Sequence, residues 1–344
     1  MPSLARTRAF LPLIFTTLCL ALSPACAATP PTPDVQVSAD ALAKANAAVV
    51  GVQVTAVEGA RSAETLGKQR SGSGVVIGPD GLILTIGYLM LEAQNIQVVT
   101  QDNKTLPARA VAYDLATGFG LIQPLLPMRG ISPVPLGHPR DVQPGEFVMA
   151  TSGGADGDVA VTRLVSKRAF SGYWEYHIES ALFTSPPIEN HSGAPLFNRR
   201  GELLGIGSLF VMNAAGQNER LPGNMFVPVD LLKPILAELQ QTGSTKLSRR
   251  PWLGLTSSEQ GGRVQVVRVN KDSPAQEAGM QPGDIVLAVD RTPVATLEAF
   301  YKKLWDRAAP EGEVQLTVMQ GAQVKTLTLK PVDRMSTMAK PAGI

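Results

Sequence analysis

The group in this chain best placed to do covalent chemistry is Ser192, in the run Ile188-Glu189-Asn190-His191-Ser192-Gly193-Ala194-Pro195-Leu196. A serine hydroxyl is a poor nucleophile at neutral pH until a positioned base takes its proton and a third group orients that base. The candidate bases are the three histidines, His138, His177 and His191. His191 adjoins Ser192, and neighbours on a tight turn project in different directions. His177 lies in an apparent strand, Glu175-Tyr176-His177-Ile178-Glu179, where a structural or half-exposed histidine is ordinary. Neither of these two is therefore an expected base for Ser192. Metal-ligand clusters, phosphate-binding glycine loops and coiled-coil heptads are absent, so neither a metal nor a cofactor is expected.

Two further stretches frame the serine. Gly72 to Thr85 reads GSGVVIGPDGLILT and runs into Ile86-Gly87-Tyr88-Leu89. Asp114-Leu115-Ala116-Thr117-Gly118 runs into the apolar Phe119-Gly120-Leu121-Ile122. Together with the Ser192 loop, they resemble the HtrA-type branch of the trypsin-like serine proteases. The resemblance implies a catalytic histidine at the position of Tyr88, an orienting aspartate at Gly118, and an oxyanion-hole glycine at Asn190. Only the remnant nucleophile Ser192 matches the triad. Moving the acid to Asp114 would push Thr117 and Gly118 into the apolar strand and require a gap. Asparagine tolerates positive φ, so the turn at Asn190 is expected to keep its shape. Losing triad members costs on the order of 10⁴ to 10⁶ in kcat. The expectation is a pseudoprotease.

Physically, a phenol at Tyr88 would bury apolar area and place its hydroxyl near Ser192, or else face solvent. As a base it would need strong cationic help, since its ordinary pKa is about 10 and no lysine or arginine lies nearby in sequence. Glycine at 118 spares a buried carboxylate without a partner. The competing expectation is an endopeptidase or esterase with a rearranged site using Ser192.

Beyond a polar stretch, Trp252-Leu253-Gly254-Leu255 resembles the carboxylate-binding loop of a PDZ domain. The likeness continues through Val264–Val269 and Ser273-Pro274-Ala275-Gln276-Glu277-Ala278-Gly279-Met280-Gln281-Pro282-Gly283-Asp284-Ile285-Val286. A helix at Thr296–Trp305 would flank the groove, with closing strands at Val314–Met319 and Thr326–Leu329. The resemblance implies β-augmentation: a peptide C-terminus adds a strand beside the loop, whose N–H groups hold its carboxylate. Exposed peptide or protein C-termini are the expected partners, with an active protease relative as a further one. The plainer alternative is that this domain only packs on the first or joins subunits. Homo-oligomers occur among such proteins, but the aromatic-bearing N-terminal segment that supports their trimers is not evident between Ala28 and Gly72.

The elements that must position these groups follow from composition and turn signals. Met1 to Ala27 reads as a secretory signal peptide, with Arg6 and Arg8, an apolar run Phe10 to Leu22 and an Ala25-Cys26-Ala27 exit. The run is short for a membrane span, so none is expected after cleavage. Lipidation at Cys26 is the alternative processing. Cys19 and Cys26 both fall in this leader, so the mature chain expects no disulfide. With 31 basic and 29 acidic residues, and Arg6 and Arg8 removed, 29 of each remain, so no nucleic-acid surface is indicated. By the resemblance, the address is the periplasm.

The expected division is a leader at 1–27, a disordered segment at 28–39, a protease-fold domain at 40–240, a linker at 241–250, a PDZ domain at 251–333 and a disordered tail at 334–344. Asp40 to Ala48 reads as a short helix, Glu58 to Arg70 as a surface loop, and Asp230 to Gln241 as an amphipathic helix capped by Asp230. Short apolar runs between Gly, Pro, Asn and Asp signal an all-β first domain. The expected fold class is mostly β: a trypsin-like double six-stranded β-barrel followed by a smaller α+β PDZ domain.

Overall fold

A computed structural model describes residues 33–154, 157–216, 218–246, 250–307 and 312–339. The leader, residues 28–32, part of the linker (247–249) and the end of the tail (340–344) lie outside the described residues.

Six short strands close a first barrel: β1 Val49–Ala56, β2 Gln69–Val76, β3 Ile83–Ile86, β4 Ala93–Val99, β5 Thr105–Tyr113 and β6 Phe119–Pro124, in the order β1-β2-β3-β6-β5-β4. A second closes in the same pattern from β7 Phe147–Thr151, β8 Val159–Gly172, β9 Tyr176–Ser185, β10 Pro195–Phe197, β11 Leu203–Val211 and β12 Gly223–Pro228. Closure removes the free sheet edges that such antiparallel strands would otherwise present. One continuous apolar core joins the barrels, running from Val50, Ile83 and Phe119 to Phe183 and Met225. A satellite around Leu164, Leu196 and Phe226 fills the second barrel.

The C-terminal domain has a core of its own, built on Leu253, Val266, Phe300, Tyr301 and Leu316. Its strands are β13 Pro251–Trp252, β14 Leu255–Gln260, β15 Arg263–Val269, β16 Ile285–Val289, β17 Thr292–Pro293, β18 Val314–Gln320, β19 Gln323–Leu329 and β20 Val332–Asp333. The main sheet runs β14-β15-β16-β18-β19, which leaves β14 at an edge. β13 pairs with β20, tying the entry of the domain to its exit. The chain is mostly β, with trypsin-like barrels followed by a PDZ domain.

Helices are few: α1 Pro33–Ala47, α2 Ala63–Leu66, α3 Leu236–Thr242, α4 Pro274–Glu277 and α5 Leu297–Trp305. Four expectations need correction. Helix α1 begins at Pro33, so the segment expected to be disordered up to residue 39 is helical from there. Glu58 to Arg70 is not simply a surface loop: it holds α2 and the start of β2, and Arg70 is buried. Asp230 to Gln241 is not one helix. A 3-10 turn at Val229–Leu231 stops short of Pro234, whose ring and missing N–H break the run, and α3 starts only at Leu236. Asp230 pairs with Lys233 at 2.8 Å instead of capping. Finally, Arg334–Thr337 forms a 3-10 turn and the Ala339 N–H donates to Glu92 at 2.8 Å, so the start of the expected disordered tail docks on the first domain.

Candidate functional site

The Ser192 turn is pinned from two sides. Gly193 has φ +75°, and a Cβ there would overlap the Ser73 carbonyl of β2. The Ser73 N–H donates to the Ser192 carbonyl at 2.8 Å, and Gly193 N–H donates to Gly207 of β11 at 2.8 Å. Thr85 supports the same corner by donating its hydroxyl to Ser73 O at 2.6 Å. Asn190 is exposed and is not among the positive-φ residues, so the shape expected of the oxyanion-hole position is not produced by a left-handed asparagine. The preceding backbone folds on itself instead, with His191 N–H donating to Glu189 O at 2.9 Å.

Tyr88 sits on a 3-10 turn, Gly87–Met90, that follows β3, and its ring reaches across to the second barrel. Its Oη lies 2.7 Å from Ser192 Oγ and 3.0 Å from the Ser208 carbonyl. The carbonyl can only accept, so the arrangement that satisfies all three oxygens has Tyr88 donating to Ser208 O while Ser192 donates to Tyr88 Oη. Burial pushes the phenol up to about 12, with the Ser192 contact opposing. At pH 7 only about one phenol in 10⁵ would be ionised, which works against its use as a general base.

No histidine takes its place. His191 Nδ1 is 2.9 Å from the Glu189 carbonyl, which fixes the proton on that nitrogen, and burial holds its pKa below the usual value. His177 meets Ser171 through Nδ1 at 2.9 Å and lies against α5, and His138 is exposed beside Lys233. Tyr88 is the hydrogen-bond partner of the Ser192 hydroxyl among the described residues.

Gly118 lies behind Tyr88 in the turn before β6. It has φ +86°, and its carbonyl accepts the Gly87 N–H at 2.7 Å. A Cβ at 118 would come 3.4 Å from Tyr176 Oη, and that hydroxyl donates to Thr117 O at 2.5 Å. The niche expected to lack a carboxylate is thus lined by a buried tyrosine. Asp114 is buried and spends its carboxylate on Thr117 N–H, Thr117 Oγ1 and Thr245 Oγ1 at 3.0, 2.6 and 3.2 Å.

Arg70 is a positioning residue that the sequence did not reveal. Its guanidinium donates to Leu91 O at 2.7 Å, Tyr88 O at 3.2 Å and Ser62 Oγ at 2.7 Å, fixing the turn that carries Tyr88. An arginine in an apparent polar loop gives no local sign of burial.

The second assembly lies in the PDZ loop. The N–H groups of Leu253, Gly254 and Leu255 all point at the Glu175 carboxylate, at 2.9, 2.8 and 2.8 Å. Gly254 has φ +87°, and a Cβ there would overlap Ser273, so the loop needs glycine to turn its amides inward. Trp252 contributes no N–H to this cradle; it pairs with Val332 and its ring lines a cavity. That cavity, about 400 Å³, runs between Tyr88, His191 and Ser208 on one wall and Trp252, Leu255 and Trp305 on the other.

His177, Glu179 and Glu298 bring ligand-type atoms within 4.8 Å of one another. The Lys302 ammonium already lies between the two carboxylates, at 2.8 and 2.6 Å, and supplies the positive charge there.

A trypsin-like peptidase domain model matches residues 72–206, and a PDZ domain model matches 251–330. The chain therefore carries a trypsin-like peptidase domain followed by a PDZ domain. It is 26% identical over 293 residues to a probable periplasmic serine endoprotease, DegP-like, from Hahella chejuensis, covering 80% of this chain and 60% of that protein. It is 29% identical over 292 residues to the like-named protein of Pseudomonas savastanoi, covering 77% and 58%. The chain thus spans somewhat under two thirds of the length of these curated relatives. Among solved structures, it resembles the HtrA-type protease AlgW with a decapeptide at a TM-score of 0.52 and 19% identity, covering 88% of this chain and 99% of that one. A serine endoprotease from Yersinia pestis matches at 0.52 and 22%, covering 89% and 99%. At such identities these likenesses speak for the fold.

Proposed function

We propose that this chain is an exported, HtrA-type pseudoprotease that binds peptides or protein C-termini through its PDZ domain in the periplasm, serving protein quality control, scaffolding or the regulation of an active relative. The observation that carries it is the Tyr88–Ser192 hydrogen bond, which puts a neutral phenol where a base is needed. Three convergent N–H groups at Leu253 to Leu255 support the binding half, since they form a receptor for a carboxylate. The relatives named as periplasmic endoproteases support the compartment.

A second reading, a weak endopeptidase or esterase, draws on the ordered serine turn, in which neither the Asn190 nor the Ser192 N–H donates to an acceptor among the described residues. Hydrolysis of an unfolded protein and of an activated ester separates the two. The proposal expects wild type and Ser192→Ala to be indistinguishable on both substrates. Turnover by the wild type that disappears in Ser192→Ala would establish the second reading instead.

A further inference from the structure

We propose that the tip of the β8–β9 hairpin is an internal ligand of the PDZ groove, with the Glu175 carboxylate standing where a C-terminal carboxylate binds, so that an external chain with a free C-terminus must displace it. This rests on the peptide-binding reading of the Leu253–Leu255 loop given above.

Three features distinguish the contact from ordinary packing between domains. First, one carboxylate satisfies three successive backbone donors, the arrangement that such a loop offers to a chain end. Second, the hairpin adds a rung to the exposed edge of the PDZ sheet. Ser257 N–H donates to Tyr173 O at 2.8 Å. Leu255 and Ser257 are two residues apart on edge strand β14, so their N–H groups face the same way, away from β15. The tip therefore engages both the carboxylate cradle and the strand that a bound peptide would extend. Third, the opposite wall of the groove grips the tip: the buried Tyr301 of α5 donates its hydroxyl to Gly172 O at 2.8 Å and accepts the Glu175 N–H at 3.3 Å.

The tip is also shaped for this purpose. Glu175 has φ +59°, a left-handed conformation that a residue with a Cβ rarely adopts and that persists where the surroundings over-determine it. The gripping contacts are polar, while Tyr173 stays largely open to solvent at 59% exposure. Contacts of this kind between domains are exchangeable, since water or another carboxylate can replace each partner. An occupied groove lowers the apparent affinity for an external peptide by the fraction of molecules that are open.

The test combines amide hydrogen exchange with peptide titration on the full mature chain. The probe is an acetylated alanine pentapeptide ending in valine, with a free carboxylate or as the C-terminal amide. In Glu175→Ala, the Leu253–Leu255 amides should exchange at least about tenfold faster than in wild type, and the free-carboxylate peptide should bind about tenfold tighter, with the amide showing no gain. Tyr301→Phe, which keeps the ring in the core, should shift both readings in the same direction by less. Unchanged exchange at Leu253–Leu255 in both variants would overturn the inference by showing the cradle empty in the wild type. Faster exchange with equal peptide affinity would also overturn it, while leaving peptide binding standing. Faster exchange with no peptide bound by any of the proteins would overturn the competition and the peptide-binding half of the proposed function together.

Discussion

The Ser192 turn and the Leu253–Leu255 loop are built alike and filled differently. Each depends on a glycine with positive φ, Gly193 and Gly254, at which a side chain would collide with its neighbours. Each is met by a side chain of the same molecule, Tyr88 in one and Glu175 in the other. Tyr88 is held from behind by Arg70 and packed against the continuous core, and it carries no charge at neutral pH. Glu175 is ionisable, rides on a hairpin tip and is held by polar bonds to a separate domain. The Ser192 turn is thus met by a packed, neutral group, and the Leu253–Leu255 loop by a titratable group on a projecting turn.

The largest effects are expected at the two glycines. Gly193→Ala should destabilise the barrel domain by about 2–4 kcal/mol, because left-handed strain adds to a collision with Ser73 O. Gly254→Ala should cost the PDZ domain a similar amount and loosen the Glu175 contact with it. Thermal unfolding of the two variants would show the loss in different transitions; equal stability to wild type would mean that the turns relax despite these close approaches.

A pH series sharpens the contrast. Burial pushes the Glu175 carboxyl up to about 7 from the usual 4.5, against the loop N–H groups and the Arg334 guanidinium that favour its charge. Tyr301, which also faces it, remains a neutral phenol because burial raises its pKa. Closing the groove therefore takes up a proton between those values. Closure is strongest below about pH 4.5, weakens as pH rises, and levels off above about 7. The closing constant should fall by roughly three-hundredfold across that window. Exchange at Leu253–Leu255, corrected for its intrinsic pH dependence, reports this directly; Glu175→Gln should flatten the profile. The Tyr88 site should show no comparable change below pH 9.

Smaller effects are expected at Tyr88 itself. Tyr88→Phe leaves Ser208 O and Ser192 Oγ without their partner and should cost about 1 kcal/mol without creating reactivity. Tyr88→His should also remain unreactive towards ester substrates. The flanking niche holds Tyr176, and Gly118 has a backbone that resists an aspartate.

Much of this was legible in the sequence. The glycine-bearing runs at Ser192 and Gly254 announce their turns because those backbones exclude other residues, and the resemblance of the Gly72–Thr85 run to the HtrA-type proteases implies Tyr88 near Ser192. Glu175 was not legible. Nothing local links it to a loop about eighty residues later, and the run Glu175-Tyr176-His177-Ile178-Glu179 has the look of an ordinary strand. Arg70 was hidden in the same way, because a buried guanidinium depends on carbonyls from a distant turn. The run from Asp230 to Gln241 misled because its apolar spacing outweighed Pro234, and the proline decided the local structure.

Whether Ser192 is a nucleophile decides between a binding protein and a hydrolase. The most direct measurement is mass-spectrometric detection of a fluorophosphonate adduct on the mature protein at neutral pH, with Ser192→Ala beside it. No adduct on Ser192 is expected in the wild type under conditions that fully label an active trypsin-like protease. An adduct on Ser192 that is absent from Ser192→Ala would contradict this, since the hydroxyl would then be activated despite its neutral phenol partner.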